Sequence, residues 1–254
     1  IREAGFDVAS MARTSTKVFV LEVMGRHAGW ITAACGLAAE NSGEPPHILL
    51  FPEVPFDPER FVARVDECVR QYGYCTIAVS EGLSDASGKL IADSGSKDAF
   101  GHSQLGGVGQ VVAQLVKDKL GYKYHWAVAD YLQRAARHIA SKVDVEQAYA
   151  VGKAAVEFAL KGHHAVMPTI VRTSQKPYRW KIGMAPLDKV ANVEKMLPRD
   201  YITPDGFHIT ARGRRYLAPL IKGEDYPPYK DGLPQYVVLK NKPVRRKLKQ
   251  AFVV

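Results

Sequence analysis

Cysteine is scarce in this 254-residue chain, with Cys35, Cys68 and Cys75 its only three. They are too few for a disulfide framework. No C-x-x-C spacing joins them, so a structural zinc site is not expected. Free thiols in apolar surroundings point to a reducing, cytoplasmic setting. Long apolar runs are missing as well. No stretch approaches the ~20 residues that span a bilayer, so no transmembrane helix and no membrane partner are expected. A secretory signal with an apolar central region is lacking too. The first residue is Ile1 rather than Met, which suggests a piece of a longer protein. Internal repeats and low-complexity tracts do not occur.

What is present is ordinary globular composition, 46% hydrophobic and 24% charged, which excludes a disordered chain. The length suits one large domain or two ordinary ones. The net charge of +9 favours anionic partners such as phosphorylated metabolites or nucleic acid. Much of the excess lies late, at Arg212, Arg214, Arg215, Lys240, Lys242, Arg245, Arg246, Lys247 and Lys249. A solvated basic tail is the plainer explanation of that run.

Elements alternate along the chain. Residues 17–23, 47–51, 75–79 and 124–128 are apolar and β-rich, and read as strands. Between them, residues 28–40 form a small-residue helix. Asp57-Pro58 opens a helix that runs to Gly73, and 108–120 is another. Residues 84–107 read as a surface loop, 145–160 as a helix, and 165–171 with 178–183 as a hairpin. Strict alternation means a mostly parallel α/β sheet. Ligands in such sheets sit beyond the carboxyl ends of the strands. The segments placed there are Met24-Gly25-Arg26-His27, Pro52-Glu53, Ser80-Glu81-Gly82 and Ala129 to Arg134.

Each segment has a chemical reading and a plainer one. Met24-Gly25-Arg26 leads from a strand into a helix, where glycine admits a close ligand and arginine can grip a phosphate. From spacing alone it is equally a turn with a surface arginine. Glu81 can accept hydrogen bonds from sugar hydroxyls, although a capping or ion-paired glutamate is commoner. Tyr131 and Arg134, three apart, share a face if helical and could hold a phosphate, with Arg134, like Arg26, near a helix start; a structural arginine is the alternative. His27, His102, His125 and the pair His163-His164 show no metal-binding spacing. Gly106-Gly107-Val108-Gly109 falls short of the dinucleotide pattern.

Taken together, these residues resemble the phosphofructokinases. Glu22-Val23-Met24-Gly25-Arg26-His27-Ala28-Gly29-Trp30 looks like the family's sugar-phosphate signature. Pro52-Glu53-Val54, Ser80-Glu81-Gly82 and Tyr131-Leu132-Gln133-Arg134 follow in the family's order, and the match covers roughly residues 13 to 185. Tyr131, where ATP-dependent bacterial members usually have His, resembles the pyrophosphate-dependent branch, as does the loop Asp98-Ala99-Phe100-Gly101-His102.

The resemblance implies a phosphofructokinase-type α/β parallel-sheet sandwich. It would comprise a fructose 6-phosphate domain over 1–130, a return toward the donor domain over 131–187, and a C-terminal extension over 188–254. It implies phosphoryl transfer from pyrophosphate to the 1-hydroxyl of fructose 6-phosphate, a glycolytic step. Met24, Gly25 and Arg26 would hold the sugar phosphate, and Glu81 the sugar hydroxyls. Tyr131 would contact the 6-phosphate, and Arg134 would lie between the two phosphorylated substrates as the catalytic residue. Lys17 would reach the sugar phosphate of a neighbouring subunit, implying a homo-oligomer. Lys123 or His125 could add a second such cation. The Gly-rich donor loop and the catalytic aspartate motif lie upstream in the family and are not in these residues. The chain alone is therefore expected to be inactive, with Mg2+ bound mainly by residues outside it.

Alternatives within this reading are an ATP-dependent enzyme and a catalytically silent sugar-phosphate-binding regulatory subunit. Nucleic-acid binding through the basic tail would show steep salt dependence. Pro227, Pro228 and Pro234 point instead to an ordered wrap over the domain, and no nucleic-acid partner is expected.

Overall fold

Buried strands need partners for every backbone polar group, and four short apolar segments supply them to one another. The structure is a computed structural model and describes residues 1–41, 43–97, 103–105, 107–245 and 247. Its main elements begin with α1 (Arg2–Met11), β1 (Val18–Val23), α2 (Trp30–Cys35), β2 (Ile48–Leu50), α3 (Pro58–Tyr72) and β3 (Cys75–Ser80). Next come β4 (Asp93–Lys97), β5 (Ser103–Leu105), α4 (Val108–Leu120), β6 (Tyr124–Val128) and α5 (Asp130–Arg134). The chain continues through α6 (Lys142–Leu160), β7 (Val166–Gln175), β8 (Tyr178–Pro186) and α7 (Ala211–Leu217). The central sheet has the order β2-β3-β1-β6, and every pair in it is parallel.

Period-two alternation sends neighbouring strand residues to opposite faces. Ile48, Leu50, Ile77, Val79, Val18 and Val20 face α3 and α4, burying Phe61, Val65, Cys68, Val112 and Val116. Leu49, Phe51 and Ala78 face the other way, against Ala33 and Leu37. That second core is completed by Leu197, Ile202 and Leu217, so the segment after residue 188 packs onto this sheet face.

Local signals place the helix ends. The Asp57 carboxylate accepts the amides of Glu59 and Arg60 at 3.0 and 3.1 Å, capping α3 as its Asp-Pro start predicts. Gly73 ends α3 in left-handed backbone at φ 86°. Helix α4 starts at Gly107 with no side-chain cap of its own. Glu22, on β1 and only 1% exposed, takes that role: its carboxylate accepts Gly109 N–H at 2.8 Å and Gly107 N–H at 3.2 Å. Burial raises the Glu22 pKa above the usual carboxylate value despite those bonds, helped by the nearby charges of Glu81 and Asp130.

Two features differ from the expectations above. The stretch 84–107 is not all loop, because β4 and β5 pair antiparallel, Asp93 opposite Leu105. Its Ser- and Gly-rich composition shows no strand periodicity. The expected motif Asp98–His102 lies outside the described residues. The β7–β8 hairpin is present and longer than expected, with Gln175 opposite Tyr178.

His47 joins the strands at their amino ends. Its Nδ1 accepts Thr76 N–H at 3.0 Å, so the ring proton sits on Nε2, which faces the Gly43 carbonyl at 3.2 Å. Burial pushes its pKa down from 6.5 to about 4. Below the unfolded value the unfolded chain takes up the proton first, so stability falls as pH drops through this window. The shift corresponds to about 3 kcal/mol at one pKa unit per ~1.4 kcal/mol. Urea unfolding should therefore show stability falling between about pH 6.5 and pH 4, with a shallower fall in His47→Gln. Equal slopes in the two proteins would remove His47 as the cause.

Candidate functional site

Parallel register brings the carboxyl ends of three strands to one line. Val23 is opposite Ser80, and Glu22 opposite Val128. The segments that follow β1, β3 and β6 therefore emerge side by side, which is where Met24–Arg26, Glu81 and Tyr131–Arg134 were expected to meet.

The first joint is Glu81. Its Oε1 accepts the amides of Gly25 at 3.1 Å and Arg26 at 3.2 Å. One carboxylate oxygen is thus committed to the turn after β1. The second joint is Gln133, whose Oε1 accepts Met24 N–H at 3.2 Å. The third is steric. A Cβ on Gly82 would lie 1.2 Å from the Arg26 carbonyl oxygen, so no side chain fits while the turn keeps its path. Arg26 has φ 21° and Asp130 φ 39°, left-handed backbone uncommon outside glycine. Such positions cost of order 1–3 kcal/mol and persist where surrounding contacts over-determine them, as here.

Tyr131 is 67% exposed, and the Arg134 guanidinium lies 5.2 Å from its ring centroid. The i, i+3 spacing does put the two on one face. The sequence reading places Arg134 near a helix start, and the structure corrects this. Helix α5 spans only Asp130–Arg134, so Arg134 is its last residue. A cation there is favoured by the carboxyl-end carbonyls rather than adding to an amino-end anion cradle.

Lys17 is not brought to this cluster. It precedes β1 while Met24 follows it, and six residues at ~3.3 Å each separate them by about 20 Å. Its Nζ donates to the Ala12 carbonyl. Lys123 lies at the same end, with Nζ donating to Ser15 Oγ at 2.8 Å; its carbonyl accepts Lys17 N–H at 2.9 Å. His125 pairs in register with Phe19 and is exposed.

Sequence alone gives no sign that Gln133, inside the Tyr131–Arg134 motif, belongs to the site, nor of a second set of contacts on the same turn. His27 Nδ1 is 2.7 Å from Glu194 Oε1, and Trp30 Nε1 donates to the Lys195 carbonyl at 2.6 Å. Glu53 Oε1 accepts both Gly29 N–H at 2.8 Å and Leu197 N–H at 2.9 Å. No local pattern announces the partners in residues 194–197, which lie 144 to 167 residues away in sequence.

Among the described residues, no group of three or more His, Cys, Asp or Glu converges as a metal site. Nor is any helix among them long and apolar enough to cross a membrane.

The Gly82 contact is directly testable. Gly82→Ala should push the Arg26 backbone aside, accelerating hydrogen exchange at the Gly25 and Arg26 amides and lowering the melting temperature by several degrees, roughly 2 kcal/mol. Unchanged exchange at those amides would show that the turn is held elsewhere.

The phosphofructokinase family model matches residues 1–159. The pyrophosphate–fructose 6-phosphate 1-phosphotransferase of Methylococcus capsulatus is 65% identical over all 254 residues, which cover 60% of that protein. A crystal structure of pyrophosphate-dependent phosphofructokinase from Nitrosospira multiformis is 63% identical, with a TM-score of 0.86 over 97% of this chain and 58% of that one. The corresponding crystal structure from Marinobacter aquaeolei is 58% identical, with a TM-score of 0.87 over 99% of this chain and 60% of that one. The chain thus spans about three fifths of the length of these relatives. It belongs to the phosphofructokinase family, and its α/β parallel-sheet fold is of that type.

Proposed function

We propose that this chain supplies the fructose 6-phosphate site of a pyrophosphate-dependent phosphofructokinase, which moves a phosphoryl group from pyrophosphate to the sugar 1-hydroxyl. The observation that carries the reading is the Glu81 joint, where one carboxylate oxygen holds the Gly25 and Arg26 amides. That joint gathers a carboxylate suited to sugar hydroxyls and an arginine suited to a phosphate on one strand edge. The names borne by relatives at 58% to 65% identity support pyrophosphate over ATP as donor, and support an enzyme over a silent regulatory subunit.

In this reading Met24, Gly25 and Arg26 hold the sugar phosphate. Glu81 uses its second oxygen for the sugar hydroxyls, and Tyr131 contacts the 6-phosphate. Arg134, stacked near Tyr131, lies between the acceptor and the donor and neutralises charge on the transferring group. Phosphoryl transfer needs positioning and charge neutralisation more than covalent help, and these residues supply both. Lys17, remote from this site, serves the sugar phosphate of a neighbouring copy, which requires a homo-oligomer. Residues 1–130 form the sugar-phosphate domain, 131–187 return toward the donor domain, and 188–254 extend from it. The chain by itself turns nothing over, because the donor loop and catalytic aspartates lie in the remaining part. Magnesium would be held mainly by residues outside this chain, where it would neutralise charge on the transferring phosphoryl group.

Turnover of fructose 6-phosphate by the complete protein with magnesium tests the donor. Activity with pyrophosphate and not ATP is expected, and activity with ATP alone would overturn the donor assignment. Arg134→Ala should cut kcat by about 10²–10³-fold; an unchanged kcat would remove it from between the substrates. Glu81→Gln retains an acceptor for the two amides. It should raise the KM for fructose 6-phosphate by roughly tenfold while leaving pyrophosphate affinity unchanged. An effect on pyrophosphate alone would put Glu81 on the wrong ligand.

A further inference from the structure

The turn after β1 is gripped from two sides. Glu81 and Gln133 hold residues 24 to 26 through their backbone amides. The next side-chain hydrogen bonds, at His27, Gly29 and Trp30, go to Glu53 or to the segment Glu194–Leu197. That segment is itself anchored. Leu197 is 3% exposed and shares a core with Ala33 and Phe51. The Trp30 ring packs against Tyr201 and Tyr216, with centroids at 6.2 and 5.7 Å.

Glu53 is the pivot. Its Oε1 accepts one amide from the turn side, Gly29, and one from the segment side, Leu197. Its Oε2 is buried and has no hydrogen-bond partner among the described residues. A Cβ on Gly29 would lie 2.6 Å from that oxygen, so the carboxylate occupies the space a side chain would need. An acceptor kept in such a place is costly unless it organises something else.

We propose that Glu194–Leu197 is a strap across the sugar-phosphate turn, and that Glu53, by bonding turn and strap together, is a positioning residue for Met24–Arg26. This deepens the function proposed above and rests on it for its kinetic consequence. The strap gives the region after residue 188 a task, holding the phosphate-binding turn in its ligand-ready shape so that the substrate need not order it. Glu53 touches no substrate; it acts through Gly29.

The test uses the complete protein with Glu53→Ala, Glu53→Gln and Trp30→Phe. Glu53→Ala leaves two amides without an acceptor. It should raise the KM for fructose 6-phosphate by roughly tenfold, with kcat within about twofold and the pyrophosphate KM unchanged. Hydrogen exchange should quicken together in residues 24–30 and 194–197. Glu53→Gln, which keeps the accepting oxygen, should restore most of the KM. Trp30→Phe keeps the ring and removes the bond to Lys195, and should give the same linked exchange more weakly; it also serves if Glu53→Ala does not fold. A lowered melting temperature with unchanged KM and unlinked exchange would make Glu53 merely structural and overturn the proposal. If the wild-type protein does not bind fructose 6-phosphate, the functional reading fails. Linked exchange between the two segments would then still uphold the strap, and its absence would sink it.

Discussion

The site hangs on a carboxylate bonded to two backbone amides. Glu81, at the end of β3, reaches the turn that leaves β1 and accepts from Gly25 and Arg26. Charge-assisted bonds of this kind are roughly twice as strong as neutral ones, and they act here between two adjacent strands already fixed by six pairs in register. These bonds help hold the left-handed backbone at Arg26. The parallel sheet supplies the rigidity, and the carboxylate transmits it to the residues that would touch the substrate.

Acidic groups recur around this edge in a supporting role. Glu22 caps α4 from inside the sheet, and Glu53 bridges turn to strap. Each accepts amides that a helix start or loop would otherwise leave unpaired. Three carboxylates thus organise backbone around a site proposed for anions. Arg26 and Arg134 must offset that negative potential as well as the ligand's own charge.

Much of this was legible in the sequence because it is local or periodic. The β-rich runs gave strands within a residue or two, Asp57-Pro58 marked the start of α3, and the rule for parallel sheets located Met24–Arg26, Glu81 and Tyr131–Arg134 on one edge. What was not legible is long-range and aperiodic. Glu194 and Lys195 look like ordinary surface residues until the fold sets them on His27 and Trp30. Gln133 lay inside a quoted motif, but only the register of β1 with β6 shows what its amide reaches. Arg134 was assigned to the wrong end of its helix because α5 is a single short turn, too brief for a periodic signal. The β4–β5 pairing was missed because Ser and Gly advertise loops even where backbone bonds form a hairpin.

The close approach at Gly82 is between backbone atoms, the Arg26 carbonyl and the place a Cβ would occupy. For redesign this separates two positions that meet at one contact. The side chain at 26 can be exchanged to alter charge or reach without touching that contact. The residue at 82 cannot change until the main chain of the turn is rerouted, which would alter every amide that Glu81 holds. A library aimed at a new phosphorylated ligand gains from varying position 26 and only loses members by varying position 82.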